Sequence, residues 1–257
     1  MIQRLFNIGG KPKTSLADSN FKFLIVGAGR GGTSLLAALL DHHGALEVGF
    51  ERFAVDLLMG KKVRSNPRTI YRTRVDAFLG ACIQEAGRCR DRIWGNKITT
   101  EQLFGLEDHN TANPDEPLDV LENFFNIDLS GIRVLFILRD GRTCVRSKMA
   151  RTGQTLELAC DRWLYSVTVY RFLKSRRDRS LCIKFEDLLQ NPVEISNDIC
   201  RFLGIGYRDS MLAGVGSDKM LPEYRQTSFD TSKLQLDAVP PGCLERIREG
   251  LEYCGYL

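Results

Sequence analysis

The segment Gly27-Ala28-Gly29-Arg30-Gly31-Gly32-Thr33-Ser34 holds the parts of a cradle for a phosphate-like anion. Glycines let backbone N–H groups turn towards one point, Arg30 adds a positive charge, and Thr33 and Ser34 add hydroxyl donors. A helix opening at Thr33 would contribute the partial positive charge of its N-terminus. A second candidate is Arg139, which follows the apolar run VLFIL and can offer a bidentate fork to a phosphate. Taken alone, Arg139 with Asp140 could equally be a local ion pair at a turn.

Neither stretch is a standard nucleotide motif. The Walker A pattern needs a lysine where this chain has Gly32-Thr33, which weakens the case for ATP with magnesium. Gly27, Gly29 and Gly32 satisfy G-x-G-x-x-G, but Glu47 and Glu51 are poor substitutes for the acidic residue that should end the next strand of a dinucleotide fold.

These residues need a scaffold, and the hydrophobic pattern supplies one. Phe21–Ala28 reads as a buried strand ending at glycine, and Thr33–His43 as a helix whose hydroxyl residues can cap it. Ala45–Val48 reads as a strand, Val75–Gly87 and Thr99–Leu106 as helices, the second with a Thr99/Gln102 capping box. His109–Pro117 reads as a loop and Ile132–Leu138 as a strand. An amphipathic helix is expected over Leu156–Lys174, a strand over Ser180–Phe185, and a helix from Asn191-Pro192 to about Gly204. A polar stretch runs to about Asp237 and a last helix passes through Leu244, Ile247 and Leu251. The expected fold is α/β: a single P-loop-like domain over 21–257, with a mainly parallel central sheet flanked by helices, behind a polar leader at 1–20. In such sheets ligands bind beyond the carboxyl ends of the strands, where both candidate turns fall.

Taken together, the motifs resemble those of sulfotransferases that use 3′-phosphoadenosine 5′-phosphosulfate (PAPS). Their 5′-phosphosulfate loop commonly has lysine or arginine, then Ser-Gly-Thr-Thr or Ser-Gly-Thr-Ser; here Arg30, Gly31, Gly32, Thr33 and Ser34 occupy those places, with Gly31 where serine is usual. The family's second signature is a strand-end arginine with a serine eight positions later, both holding the donor's 3′-phosphate, and Arg139 and Ser147 match it. Lys184-Phe185-Glu186-Asp187-Leu188, Asn191-Pro192, Phe202-Leu203-Gly204 and Gly255-Tyr256 are similar to the family's later segments, and Glu186 and Asp187 read as structural. The resemblance implies a donor site built from Gly29, Arg30, Gly31, Gly32, Thr33, Ser34, Arg139 and Ser147.

Sulfuryl transfer needs a base for the acceptor's proton and cations for the developing charge, but no metal. His42 and His43 lie about three turns from the loop, at roughly 5.4 Å per turn, and with His109 they leave a histidine base open. Glu51 is better placed, because the strand before it should end at the same sheet edge. Gly49-Phe50-Glu51 is also similar to the Gly-Glu-Glu of tyrosylprotein sulfotransferases, and Lys97 in Trp94-Gly95-Asn96-Lys97 to their Asn-Lys-Asp-Pro. That resemblance implies Glu51 as general base, with Lys97 and Arg30 stabilising charge. The alternatives are a helix-start glutamate and a surface lysine. Lys219 could close over the nucleotide.

Composition limits the remaining choices. The 257 residues are 43% hydrophobic and 26% charged with a formal charge of +4, an ordinary globular profile that does not point to nucleic acid. Lys61, Lys62, Arg64, Arg68, Arg72 and Arg74 form a basic stretch, either a solvated face or a rim for an anionic ligand. None of the eight cysteines is spaced as Cys-x-x-Cys, so reduced core thiols are expected rather than zinc or redox chemistry. With no signal-like or membrane-spanning run, the expectation is a soluble, cytoplasmic enzyme acting on a small-molecule, carbohydrate, lipid or peptide acceptor, and a possible homodimer. The competing readings are a nucleotide kinase or NTPase, and a non-enzymatic polyanion-binding protein.

Overall fold

The computed structural model describes residues 15–89, 91–236 and 239–257. Residues 1–14 of the expected leader lie outside the described residues. The first half of the chain runs β1 (Phe21–Gly27), α1 (Thr33–Asp41), β2 (Leu46–Phe50), α2 (Ala54–Leu57), α3 (Ile70–Ala86), β3 (Ile93–Lys97), α4 (Thr100–Phe104) and α5 (Asp108–Ala112). The second half runs β4 (Arg133–Leu138), α6 (Gly141–Thr152), α7 (Leu156–Lys174), β5 (Ser180–Lys184), α8 (Phe185–Gln190), α9 (Pro192–Leu203) and α10 (Cys243–Cys254).

The five strands form one parallel sheet in the order β2-β3-β1-β4-β5. Side chains alternate across a strand, and β1 uses that alternation to feed two cores. Leu24 and Val26 pack with Phe136, Leu138, Trp163, Ile247 and Leu251 on one face. Phe23 and Ile25 pack with Leu36, Leu40, Leu135, Ile137 and Leu188 on the other. Helices therefore cover both faces, as a parallel sheet requires.

β3 is the strand that hydrophobic patterning does not announce. It reads Ile-Trp-Gly-Asn-Lys, yet it lies between β2 and β1. Its glycine is a packing requirement: a Cβ on Gly95 would sit 2.2 Å from the ring of Phe23. The expected loop His109–Pro117 is also helical at its start. Residues through Ala112 belong to α5, where Asn113 closes the end with its side chain on the His109 carbonyl at 2.8 Å. The cap of α1 differs as well: Gly32 is the N-cap, without a side-chain cap bond, and Thr33 and Ser34 fall inside the first turn.

The eight cysteines carry no disulfide, and all but Cys182 are buried. Burial pushes the Cys182 thiol up to about 12 and the Cys254 thiol up to about 11, so both stay protonated at neutral pH. Among the described residues no helix is long and apolar enough to cross a membrane.

Candidate functional site

Three loops meet at the carboxyl edge of the sheet: the one after β1, the one after β4, and the turn joining β3 to α4. The loop after β1 keeps its shape through Arg30 at φ 70° and Gly32 at φ 98°, both left-handed. Two of its amides are already engaged. Gly31 N–H donates to the Ala28 carbonyl at 2.8 Å, and Gly29 N–H donates to the Glu101 carboxylate at 2.8 Å. The anion-facing donors are thus narrower than the glycine count suggests, and the helix start at Thr33 and Ser34 supplies the rest.

Arg30 and Ser147 come together: the guanidinium Nε donates to the serine hydroxyl at 3.1 Å. Arg139 joins the same cluster. It donates to Thr143 Oγ1 at 2.9 Å, to the Arg30 carbonyl at 3.1 Å and to the Lys233 carbonyl at 3.1 Å, and it lies over the Phe185 ring. Burial lowers the Arg139 pKa, and the charges of Arg30 and Arg146 act in the same direction, against Glu186. Burial likewise lowers that of Lys233; Arg139 and Arg30 add to the fall, and Asp230 opposes it. Arg30 and Arg139, with Lys233 beside them and its Nζ 4.0 Å from Asp230 Oδ2, give this recess a positive character suited to phosphate. Arg30 also stacks on Tyr224, its guanidinium carbon 4.4 Å from the ring centroid.

The turn carrying Arg139 is rigidly supported. Its carbonyl accepts from Trp163 Nε1 at 2.9 Å, and Asp140 N–H donates to Glu186 at 3.0 Å. The other oxygen of Glu186 accepts from the Tyr256 hydroxyl at 2.8 Å. Asp140 itself caps α6 by accepting from Arg142 N–H at 2.9 Å and pairs with the Arg142 guanidinium. The local ion pair at this turn is therefore Asp140–Arg142, which leaves Arg139 facing the recess.

Glu51 stands at the end of β2 in a left-handed conformation, φ 56°, with Phe53 at φ 65°. Each non-glycine residue there costs of order 1–3 kcal/mol, and such strain gathers where a side chain must be aimed. Glu51 N–H donates to the Lys97 carbonyl at 2.7 Å, which fixes the turn to β3. Its carboxylate receives one bond from Lys97 Nζ and another from Gln102 Nε2. Lys97 is no surface lysine, since only 4% of its side chain is exposed, whereas 36% of the Glu51 side chain meets solvent. Nor does Glu51 serve the dipole of α2: that helix is capped at Phe53, and its first-turn acid is Asp56.

The histidines lie elsewhere. His42 bonds the Ala38 carbonyl at 2.9 Å, and buried His43 bonds the Gly206 carbonyl at 2.6 Å, both at the far end of α1. His109 contacts Asn113. Lys219 does not cover the recess; it pairs with Asp41 at 2.7 Å, also at the end of α1 remote from the loop.

The basic stretch divides in two. Lys62 pairs with Asp56, Arg72 with Asp76 and Asp128, and buried Arg74 with Asp108, while Lys61, Arg64 and Arg68 are exposed. Half of its charge is thus neutralised structurally. Among the described residues no group of three or more His, Cys, Asp and Glu is arranged to hold a metal ion.

Sequence reasoning missed Lys233, Glu101, Lys148 and the bond from Gln102 to Glu51. The Arg139 guanidinium donates to the Lys233 backbone carbonyl across 94 residues of sequence, and no local spacing signals such a meeting. Gln102 was visible only as half of a capping box.

The resemblance drawn from the motifs is borne out by known proteins. Residues 129–209, which include Arg139 and Ser147, match the model of the Sulfotransferase family. A Drosophila melanogaster protein-tyrosine sulfotransferase is 25% identical over 202 residues; the match takes in 73% of this chain but spans only 39% of that protein. The sulfotransferase domain of the Synechococcus PCC 7002 olefin synthase superposes with a TM-score of 0.65 at 16% identity, covering 96% of this chain and 98% of its own. The sulfotransferase domain of the curacin biosynthetic pathway gives 0.62 at 14% identity, over 92% and 98%. At these identities the two structures speak for a shared fold.

Proposed function

We propose that this chain, with its sulfotransferase-family segment and sulfotransferase-domain fold, moves a sulfuryl group from PAPS to an acceptor hydroxyl or amine. The observation that carries this reading is the junction of Arg30, Ser147 and Arg139, which merges the β1 loop and the β4 turn into one cationic recess. A donor phosphorylated at both its 3′ and 5′ ends suits two adjoining anion sites better than ATP does.

The chain's own groups then divide the work. Arg30 and the amides at the start of α1 take the 5′-phosphosulfate, while Arg139, Ser147 and Lys233 take the 3′-phosphate. Glu51 accepts the proton of the acceptor O–H or N–H as that atom bonds to sulfur. The bond from sulfur to the 5′-phosphate oxygen breaks, and 3′,5′-adenosine bisphosphate leaves with its electron pair. Lys97, held against Glu51, and Arg30 stabilise the charge that develops on the transferring group and the leaving phosphate. The partial exposure of Glu51 leaves room for an acceptor, and the fly relative makes peptides one class to test beside carbohydrates, lipids and phenols.

The test is calorimetric binding of 3′,5′-adenosine bisphosphate, followed by donor-dependent sulfation across an acceptor panel. Stabilisation by ATP–magnesium without stabilisation by the bisphosphate would overturn the reading in favour of a kinase or NTPase.

A further inference from the structure

The sheet order places β3 between β2, whose end carries Glu51, and β1, whose end carries the anion loop. The turn leaving β3 therefore stands between the expected base and the expected donor site. Two consecutive residues on the first turn of α4 reach in the two directions. Glu101 accepts from Gly29 N–H at 2.8 Å and pairs with Lys148, whose side chain is 2% exposed. Gln102, 3% exposed, reaches Glu51.

The orientation of the Gln102 amide follows from its partners. Thr99 N–H can only donate, and it meets Gln102 Oε1 at 2.9 Å, so the NH2 group is the one left facing Glu51. This amide cannot flip without losing the cap of α4, and it therefore presents a fixed donor to one carboxylate oxygen. Lys97 holds the other oxygen. Glu51 is clamped from β3 on one side and from α4 on the other, and α4 is anchored to the donor loop through Glu101.

We propose that Gln102 is a positioning residue for Glu51, tying the base to the donor loop through the first turn of α4. The proposal rests on the sulfotransferase reading for its kinetic consequence, but the tie itself can be read without turnover. Gln102→Glu is the decisive variant: glutamate is an equally good acceptor for the Thr99 N–H, so the helix cap survives while the donor to Glu51 is replaced by a carboxylate. Gln102→Leu removes both bonds and serves as the second variant.

In NMR spectra of 13C-labelled glutamate carboxyls, the Glu51 resonance should move in both variants, because the bond that its carboxylate accepts from Gln102 Nε2 is lost. Turnover should fall about 10- to 100-fold, since a displaced base is out of reach of its proton. Affinity for 3′,5′-adenosine bisphosphate should stay within about twofold, because the donor contacts are intact. An unmoved Glu51 carboxyl resonance, or turnover within about threefold of wild type in Gln102→Glu, would overturn the proposal. A wild-type protein that neither binds the bisphosphate nor transfers sulfuryl, while its Glu51 carboxyl resonance still responds to Gln102→Glu, would sink the sulfotransferase reading and leave the tie standing.

Discussion

Arg30 and Ser147, 117 residues apart in the chain, meet through a 3.1 Å hydrogen bond from guanidinium to hydroxyl. The bond joins the loop after β1 to the helix after β4, and the Arg139 fork closes on the Arg30 carbonyl from the same side. A ligand with phosphate at two ends would exchange these internal bonds for its own oxygens.

Removing one of these cations should therefore cost donor affinity. Arg30→Met and Arg139→Met each delete charge-assisted bonds worth about 1.5–3 kcal/mol, so binding of 3′,5′-adenosine bisphosphate should weaken about 10- to 100-fold. Ser147→Ala deletes a neutral hydroxyl and should cost about tenfold at most. Lys233→Met should weaken binding as well, with a shallower salt dependence than wild type, because it removes one cation from the phosphate site. Isothermal titration at two ionic strengths reads all four variants, and unchanged affinity in Arg139→Met would remove the second phosphate site.

Glu51→Gln separates chemistry from binding. A general base contributes typically about 10²- to 10⁴-fold, and the amide cannot take the acceptor's proton. Turnover should drop by that order while bisphosphate affinity is retained, because the Glu51 carboxylate does not contact the cationic recess. Equal activity in the variant would strip Glu51 of its assigned role and reopen the search for a base.

The pattern of what the sequence revealed follows the range of the interactions involved. Strands and helices with apolar periods, such as Phe21–Gly27 and Leu156–Lys174, are legible because their signal is local. β3 is not, since Gly95 yields to the Phe23 ring, Asn96 braces the Arg52 turn through bonds of 2.9 and 3.2 Å, and Lys97 serves Glu51. Its residues are chosen by their neighbours, against strand propensity. The same holds for Glu101 and Lys148, whose pairing across 47 residues no spacing announces. Spacing that resembles a known family singles out Arg30, Arg139 and Ser147, which the fold brings together, whereas Lys233 lies in a polar stretch without such a pattern.

The Glu101–Lys148 pair should show itself in the pH dependence of stability. Burial acts to raise the pKa of Glu101, but the charge and hydrogen bond of Lys148, with the Gly29 N–H, outweigh it, and the net shift is downward. A carboxylate with a depressed folded-state pKa stabilises the fold fully above its unfolded value, and this contribution is lost as pH falls through the folded value. In Lys148→Met only backbone donors such as the Gly29 N–H still oppose burial, the shift moves upward, and a buried carboxylate without its cation costs about 3–5 kcal/mol at neutral pH. That penalty should shrink as the medium is acidified and Glu101 takes up a proton. Denaturant midpoints from neutral pH downwards check this, and a penalty independent of pH would contradict it.

The last prediction concerns Gly31, where related loops commonly carry serine. Restoring serine looks like a gain of one phosphate donor, but the backbone argues the opposite. A Cβ on Gly31 would lie 2.7 Å from the Ala28 carbonyl oxygen, the same atom that accepts the Gly31 N–H at 2.8 Å. A backbone oxygen cannot rotate away as a side chain could, so the turn from Ala28 to Gly31 would have to open. That turn sets Arg30 in its left-handed conformation, and opening it would draw the guanidinium away from Ser147. Gly31→Ser should therefore lower both the melting temperature and the affinity for 3′,5′-adenosine bisphosphate, the latter about tenfold through displacement of Arg30. Tighter binding in Gly31→Ser would show that the loop can re-form around the new side chain, and that the turn at Ala28 does not set the position of Arg30.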